Sequence, residues 1–196
     1  MIKREVTTVL LLAATGLLGA APGFAAADKP PRLVLQITVD ALRGDLPKRY
    51  AHVLGDGGFR YLMDQGIDYT NAHYQHANTE TIVGHATLAT GTYPARHGMV
   101  GNVWFDREAG ELAYNIEDPD SPILPTRDNM AKGGQIDPAQ KKSRTQGRSP
   151  RVIAAPTLSD GLAAYTGGRS KVFAVSGKDR SAVAMGGQVG QAVWFS

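Results

Sequence analysis

Residues 33–39 read Leu-Val-Leu-Gln-Ile-Thr-Val, a nearly continuous apolar run that is partly β-branched. A run of this length and kind is expected as a buried strand of a parallel sheet, covered on both faces. It ends in Asp40. In open α/β sheets ligands bind beyond the carboxyl ends of the strands. An acid there suits a metal ligand, and it suits equally the cap of a helix expected over 42–50.

The remaining pattern alternates helix and strand. A short helix over 57–66 closes at Gly66, and 67–74 is extended. The stretch Asn78-Thr79-Glu80-Thr81-Ile82-Val83-Gly84-His85-Ala86-Thr87-Leu88-Ala89-Thr90-Gly91 is a loop that becomes a short helix, with Gly91 as its stop. A turn at 93–98 leads to 99–106. Residues 117–150 hold Asp118-Pro119-Asp120, Gly133-Gly134 and Lys141-Lys142-Ser143-Arg144, and are expected as a long surface loop. A helix over 157–165 ends at Gly167-Gly168. Strands are expected over 171–175, 181–185 and 192–195. The sum is an α/β fold with a mostly parallel central sheet flanked by helices, and no internal repeat.

The chain has 196 residues, enough for one domain with appendages. Its formal charge of +3 and scattered cations do not point to nucleic acid. Lys3 and Arg4, the apolar run 9–18 and Ala25-Ala26-Ala27 form a signal peptide over 1–27, with a mature domain over 28–196. No other stretch is long enough to span a bilayer, so no stable membrane insertion is expected after cleavage. With no cysteine there are no disulfides and no lipid attachment at a cysteine. A periplasmic or secreted protein fits.

Three elements are placed to meet at one sheet edge: Asp40 after one strand, Lys178 and Arg180 after another, and Thr81 at a helix entrance. Free N–H groups and the helix dipole favour an incoming phosphate or sulfate, and an alkoxide at the hydroxyl. A metal would lower the hydroxyl pKa. Lys supplies a point charge, Arg grips two oxygens, and Asn102 can donate an amide N–H. On these local grounds alone a Thr N-cap and solvated cations fit as well, and Thr79 remains open as the attacking hydroxyl.

The sequence resembles the alkaline phosphatase superfamily, in particular its threonine-nucleophile PafA-like phosphomonoesterases, relatives of the type I phosphodiesterases and nucleotide pyrophosphatases. The resemblance rests on Val39-Asp40-Ala41-Leu42-Arg43-Gly44-Asp45 and on Thr79-Glu80-Thr81-Ile82-Val83-Gly84-His85-Ala86-Thr87 with Thr90-Gly91. It continues in His97-Gly98-Met99-Val100-Gly101-Asn102-Val103-Trp104-Phe105-Asp106, Ser149-Pro150-Arg151 and Ser176-Gly177-Lys178-Asp179-Arg180. It implies Thr81 as a nucleophile that is transiently phosphorylated, and Asp40 and Thr81 as ligands of one of two zinc ions. It further implies that Asn102, Lys178 and Arg180 bind the transferred group of a small phosphate ester. His85 is implied to pack or hydrogen-bond. The extra cations favour monoesters, which carry more charge on their non-bridging oxygens.

The superfamily's further Asp and His ligands lie well downstream, and no histidine follows His97 here. His52, His73 and His76 match no ligand position. The expectation is therefore the N-terminal portion of a longer enzyme, incomplete in its sheet and inactive as a separate polypeptide. The alternatives are a phosphodiesterase or nucleotide pyrophosphatase of the same fold, or an inactive truncated relative. A sulfatase is disfavoured, because that branch uses a modified Cys or Ser where this chain has Thr.

Overall fold

The computed structural model describes residues 31–124 and 137–195. The expected signal peptide lies outside the described residues, as does the middle of the expected 117–150 loop. The chain divides into two compact units, Met1–Ile37 and Thr38–Ser196.

The described part of the first unit has no regular secondary structure. Leu33, Leu35 and Ile37 are each more than 70% exposed (77%, 72% and 72%). The expected buried strand over 33–39 is therefore not formed: no β-ladder among the described residues includes it. An apolar run becomes a buried strand only when neighbours take its N–H and C=O groups and layers cover its faces. Neither condition is met, so the segment stays irregular and exposed.

The second unit opens with two short helices, α1 (Leu46–Arg49) and α2 (Phe59–Gln65). The expected helix over 42–50 shortens to α1 because Pro47 sits in its first turn, where its missing N–H costs nothing. Helix α3 (Thr81–Thr90) ends at Gly91 as its sequence dictates, but it begins after Glu80 without the Thr side-chain cap that the local pattern offered. Gly91 stops it at φ 65°, with its N–H bonded to the Thr87 carbonyl at 2.9 Å. The one-turn helix α4 (Pro94–His97) leads into a hairpin of β1 (Val103–Asp106) and β2 (Glu111–Tyr114), antiparallel with Val103 opposite Tyr114. Asp106 Oδ1 accepts from the N–H groups of Glu108 and Ala109, and Gly110 supplies the left-handed residue of the turn.

Helix α5 (Leu158–Tyr165) starts with a full capping box. The Thr157 hydroxyl accepts from the Asp160 N–H at 3.1 Å, and Asp160 Oδ2 accepts from the Thr157 N–H at 2.9 Å. Strand β3 (Phe173–Ser176), helix α6 (Asp179–Gly186) and strand β4 (Gln191–Trp194) form a parallel βαβ unit, with Phe173 beside Gln191 and Ser176 beside Trp194. Here the expected strand over 181–185 is corrected to a helix. Parallel neighbours need a crossover, which is usually helical. Ser-Ala-Val-Ala-Met is too short for its periodicity to separate a buried strand from a buried helix. The sheets among the described residues hold two strands each, so the parallel sheet is small and incomplete within an α/β fold.

One core joins these pieces. Ile82, Val83 and Ala86 of α3 pack with Val183 and Ala184 of α6, along with Met99, Tyr114, Ile116 and Ile153. All are nearly or wholly withdrawn from solvent. Burying these side chains supplies the apolar driving force that holds α3 against α6. The capping box offers a direct check. Thr157→Ala is expected to lower stability by about 1 kcal/mol. Gly187→Ala should cost more: its φ is +63°, and an added Cβ would lie 2.2 Å from the Thr157 hydroxyl. Urea midpoints of the two variants measure both effects.

Candidate functional site

Helix α3 presents its first turn at the mouth of the site. Glu80 precedes the helix and Thr81 is its first residue. The free N–H of Ile82 donates to Asn102 Oδ1 at 3.1 Å. That bond fixes the amide orientation, since Oδ1 must be the acceptor, and it leaves Nδ2 as the donor end. Asn102 is held from two more sides. Its N–H donates to Glu80 Oε2 at 2.5 Å, and its carbonyl accepts from Asn115 Nδ2 at 2.5 Å. Asn78 completes the lacing: its Nδ2 donates to the Val100 carbonyl at 2.7 Å, and its Oδ1 accepts from the Glu80 N–H at 3.2 Å. Glu80 and Asn78 thus seat the Asn102 loop on the helix entrance. Their place inside the motif around Thr81 is the sequence signal for them, but polar loop residues have many possible partners.

Asp40, Thr81 and Lys178 meet. Lys178 Nζ donates to Asp40 Oδ2 at 2.8 Å and lies 3.5 Å from Thr81 Oγ1. The Thr81 hydroxyl is 3.4 Å from the same Asp40 oxygen. The residue after Asp40, Ala41, has φ 59°, a left-handed conformation that is unfavourable for a residue with a Cβ. Strain of this kind persists where surrounding structure over-determines a position, commonly at functional sites. Burial pushes the Asp40 carboxyl up, but the Lys178 hydrogen bond and charge, with smaller help from His85 and Thr81, outweigh it and hold the group below the usual carboxylate range. The hydroxyl of Thr81 therefore stands between a carboxylate and an ammonium group.

Two neighbours shape this corner. His85 is buried, and its Nδ1 lies 2.8 Å from the Thr81 carbonyl, to which it donates across the first turn. Gly84 lies against Tyr74: a Cβ there would make ordinary contact with the Tyr74 hydroxyl at 3.5 Å. Burial, and then the Asp40 charge, push the Tyr74 hydroxyl pKa up, so the phenol stays protonated.

Arg180 is not brought to this group. It is 3% exposed, its Nη2 donates to Asp137 Oδ2 at 2.9 Å, and its Nη1 lies 3.4 Å from the Tyr114 hydroxyl. Burial alone would lower its pKa, but the pairing with Asp137 and Tyr114 raises it.

His97 is fully buried behind α3, and its neighbours fix its tautomer. Nδ1 accepts the Met99 N–H at 3.1 Å, so Nε2 carries the proton and donates to Thr87 Oγ1 at 3.0 Å. His76 reaches the same hydroxyl through Nε2 at 2.9 Å and the Asn78 carbonyl through Nδ1 at 2.7 Å.

A zinc site needs about three protein ligands and an open position. No group of three or more His, Asp or Glu side chains suited to a metal ion occurs among the described residues. Asp40 and Thr81 offer two oxygens, and the Lys178 ammonium is drawn to both. These residues alone do not complete a zinc shell.

The fold matches the crystal structure of wild-type alkaline phosphatase PafA with a TM-score of 0.66, at 32% identity over 79% of this chain and 27% of that one. That makes this an α/β chain of the alkaline-phosphatase type. Residues 34–177 match the family model of type I phosphodiesterase / nucleotide pyrophosphatase, and the chain belongs to that family. Alkaline phosphatase PafA of Elizabethkingia meningoseptica is 33% identical over 187 residues, which are 94% of this chain and 31% of the relative. The chain thus spans under a third of the length of that relative. A PafA variant with one Thr, one Asn, one Lys and one Arg replaced aligns with a TM-score of 0.68 at 31% identity, covering 81% of this chain and 28% of that one. The four residue types recur here, in the same order and with equal Thr–Asn and Lys–Arg intervals, as Thr81, Asn102, Lys178 and Arg180.

The buried His97 gives a pH prediction. Burial first, then the charge of His76, hold its pKa below the ordinary value. Below about pH 6.5 the unfolded chain takes up a proton that the native state resists, so stability falls as pH drops through that range. Urea midpoints at about pH 7 and pH 5.5 should differ less in His97→Gln than in the unaltered protein. An equal drop in both would place the acid sensitivity elsewhere.

Proposed function

We propose that this chain carries the nucleophile side of an exported, zinc-dependent phosphate monoester hydrolase. The observation that carries the reading is the Lys178 ammonium, 3.5 Å from the Thr81 hydroxyl and 2.8 Å from Asp40. Thr81 is the nucleophile, and its oxygen attacks phosphorus as the ester P–O bond breaks. The Thr81 hydroxyl proton is passed on to the departing oxygen, which leaves as the alcohol, and water then cleaves the phospho-threonine, restoring the Thr81 hydroxyl and releasing phosphate. The ammonium of Lys178 neutralises charge on the transferred group, and the Asn102 amide nitrogen donates to one of its oxygens. Arg180 is assigned to the same group by family resemblance. In the structure its guanidinium is bound to Asp137 and Tyr114, so that contact would require Asp137 to yield it.

Two zinc ions belong to the complete site by the same resemblance, and Asp40 and Thr81 supply two donor oxygens for one of them. When bound, zinc would lower the pKa of the hydroxyl and neutralise phosphoryl oxygens. The remaining donors are not among the described residues, so the isolated chain is expected to be inactive. The basic and apolar N-terminus with its Ala triplet supports export to the periplasm or beyond, with cleavage after residue 27. Among the described residues no helix is long and apolar enough to cross a membrane.

The second reading is a phosphodiesterase or nucleotide pyrophosphatase, favoured by the family model over 34–177. A chimera separates the two, with residues 28–196 replacing the matching portion of the Elizabethkingia enzyme, assayed with zinc on aryl phosphate monoesters and diesters. Thr81→Ala is expected to abolish hydrolysis of both. Lys178→Ala should lower monoester turnover about a hundredfold, roughly 2.7 kcal/mol of lost transition-state stabilisation, and leave the diester rate almost unchanged. Equal loss on both substrates would remove the monoester reading. Zinc-dependent hydrolysis by the isolated chain would overturn its expected inactivity.

A further inference from the structure

Asp179, between the two cations of the Lys-Asp-Arg sequence, has no role in the reaction outlined above, yet both of its carboxylate oxygens are held. Its exposure is 0%. Oδ2 accepts from Arg148 Nε at 2.7 Å, and the Arg148 side chain is itself 1% exposed. Oδ1 accepts from the Tyr114 hydroxyl at 2.6 Å and from the Arg180 N–H at 2.7 Å. Arg148 is fixed in turn. Its Nη1 donates to Ser143 Oγ and to the carbonyls of Thr145 and Gly147, and its guanidinium lies 5.0 Å from the centre of the Tyr114 ring.

A buried ion pair of this kind is often no more stabilising than packed apolar side chains, so stability alone does not account for it. The N-terminus of α6 shows another use. The N-cap position normally holds Ser, Thr, Asp or Asn, whose side chain takes a free N–H of the first turn. Lys178 occupies that position and makes no side-chain cap. Its side chain crosses to Asp40 and Thr81 instead, and the next carboxylate takes over a free N–H, that of Arg180. Ser176 Oγ accepts the Lys178 N–H at 3.3 Å and pins the backbone from the strand side.

We propose that Asp179 is the positioning residue of the site: clamped by Arg148 and Tyr114, it fixes the first turn of α6 so that Lys178 is held against Asp40 and Thr81. The inference rests on the reading of Lys178 as the phosphoryl-binding cation, and it makes the loop that carries Arg148 part of the site's scaffold.

The test uses the full chain and two readouts. The first is the acylation rate of the Lys178 amine, followed by peptide mass spectrometry relative to exposed Lys171 in the same molecule. The second is affinity for inorganic phosphate. The variants are Asp179→Asn and the milder Tyr114→Phe, which deletes one oxygen and keeps the ring. The Lys178/Lys171 ratio is expected to rise about threefold in Tyr114→Phe and further in Asp179→Asn, with phosphate bound correspondingly weaker. That loss of affinity should vanish in a Lys178→Ala background, while the loss of urea stability remains. A purely structural Asp179 predicts lower urea midpoints with an unchanged Lys178/Lys171 ratio, and that result overturns the proposal. If the unaltered chain binds no phosphate and Lys178→Ala changes nothing, the phosphoryl-binding reading falls, while the acylation ratio still decides whether Asp179 holds Lys178.

Discussion

The Arg148–Asp179 ion pair sits where the hairpin, the loop after residue 137 and helix α6 come together. Each charge would be unfavourable by several kcal/mol if buried alone, so neither side chain can leave without the other. Tyr114 is shared between them: its hydroxyl donates to Asp179, and its ring lies beneath the Arg148 guanidinium. Around this pair α6 acquires a fixed axial position. The apolar contacts of Val183 and Ala184 with Ile82, Val83 and Ala86 then set α3 against α6. Apolar packing supplies the attraction, and the directional bonds of the ion pair select one register among those that packing would accept.

That register brings together two helix entrances. Thr81 opens α3 and Lys178 precedes α6, so the positive ends of two helix dipoles and one ammonium group converge near one carboxylate. Such a corner favours an anion. Asn102 belongs to it through the Ile82 N–H, and its backbone is tied to Glu80 and Asn115. Arg180, two residues from Lys178, is turned into the protein, where Asp137 compensates its charge. A Lys-x-Arg pair at a helix start therefore does not act as one cationic patch in this structure: the first cation faces the Thr81 hydroxyl and the second pairs with Asp137.

Local chemistry was legible in the sequence wherever one turn of backbone settled the matter. The stop of α3 at Gly91 and the start of α5 at Thr157 depend on caps that act within a few residues, whereas the start of α3 has no side-chain cap of its own and gives the Ile82 N–H to Asn102, twenty positions away. Thr81 at a helix entrance and Lys178 after a strand were legible as types in place, but the strand expected before Asp40 is not formed, so the meeting of Asp40 with Thr81 and Lys178 is a tertiary result. Glu80, Asn78, Tyr74 and Asp179 were not legible. A buried carboxylate looks like a surface one until its partners are known, and Arg148 lies 31 positions from Asp179.

The sequence by itself determined the α/β class, the hydroxyl at the entrance of α3 and the order of the motifs, because these are written in short-range propensity and capping. Only the tertiary structure decided that 181–185 is a helix, that 33–39 stays exposed, and which of two neighbouring cations faces Thr81. The physical reason is the same in each case. Whether a short apolar run is strand or helix, and whether a charge is solvated or buried, depends on partners that are distant along the chain, and packing alone chooses those partners.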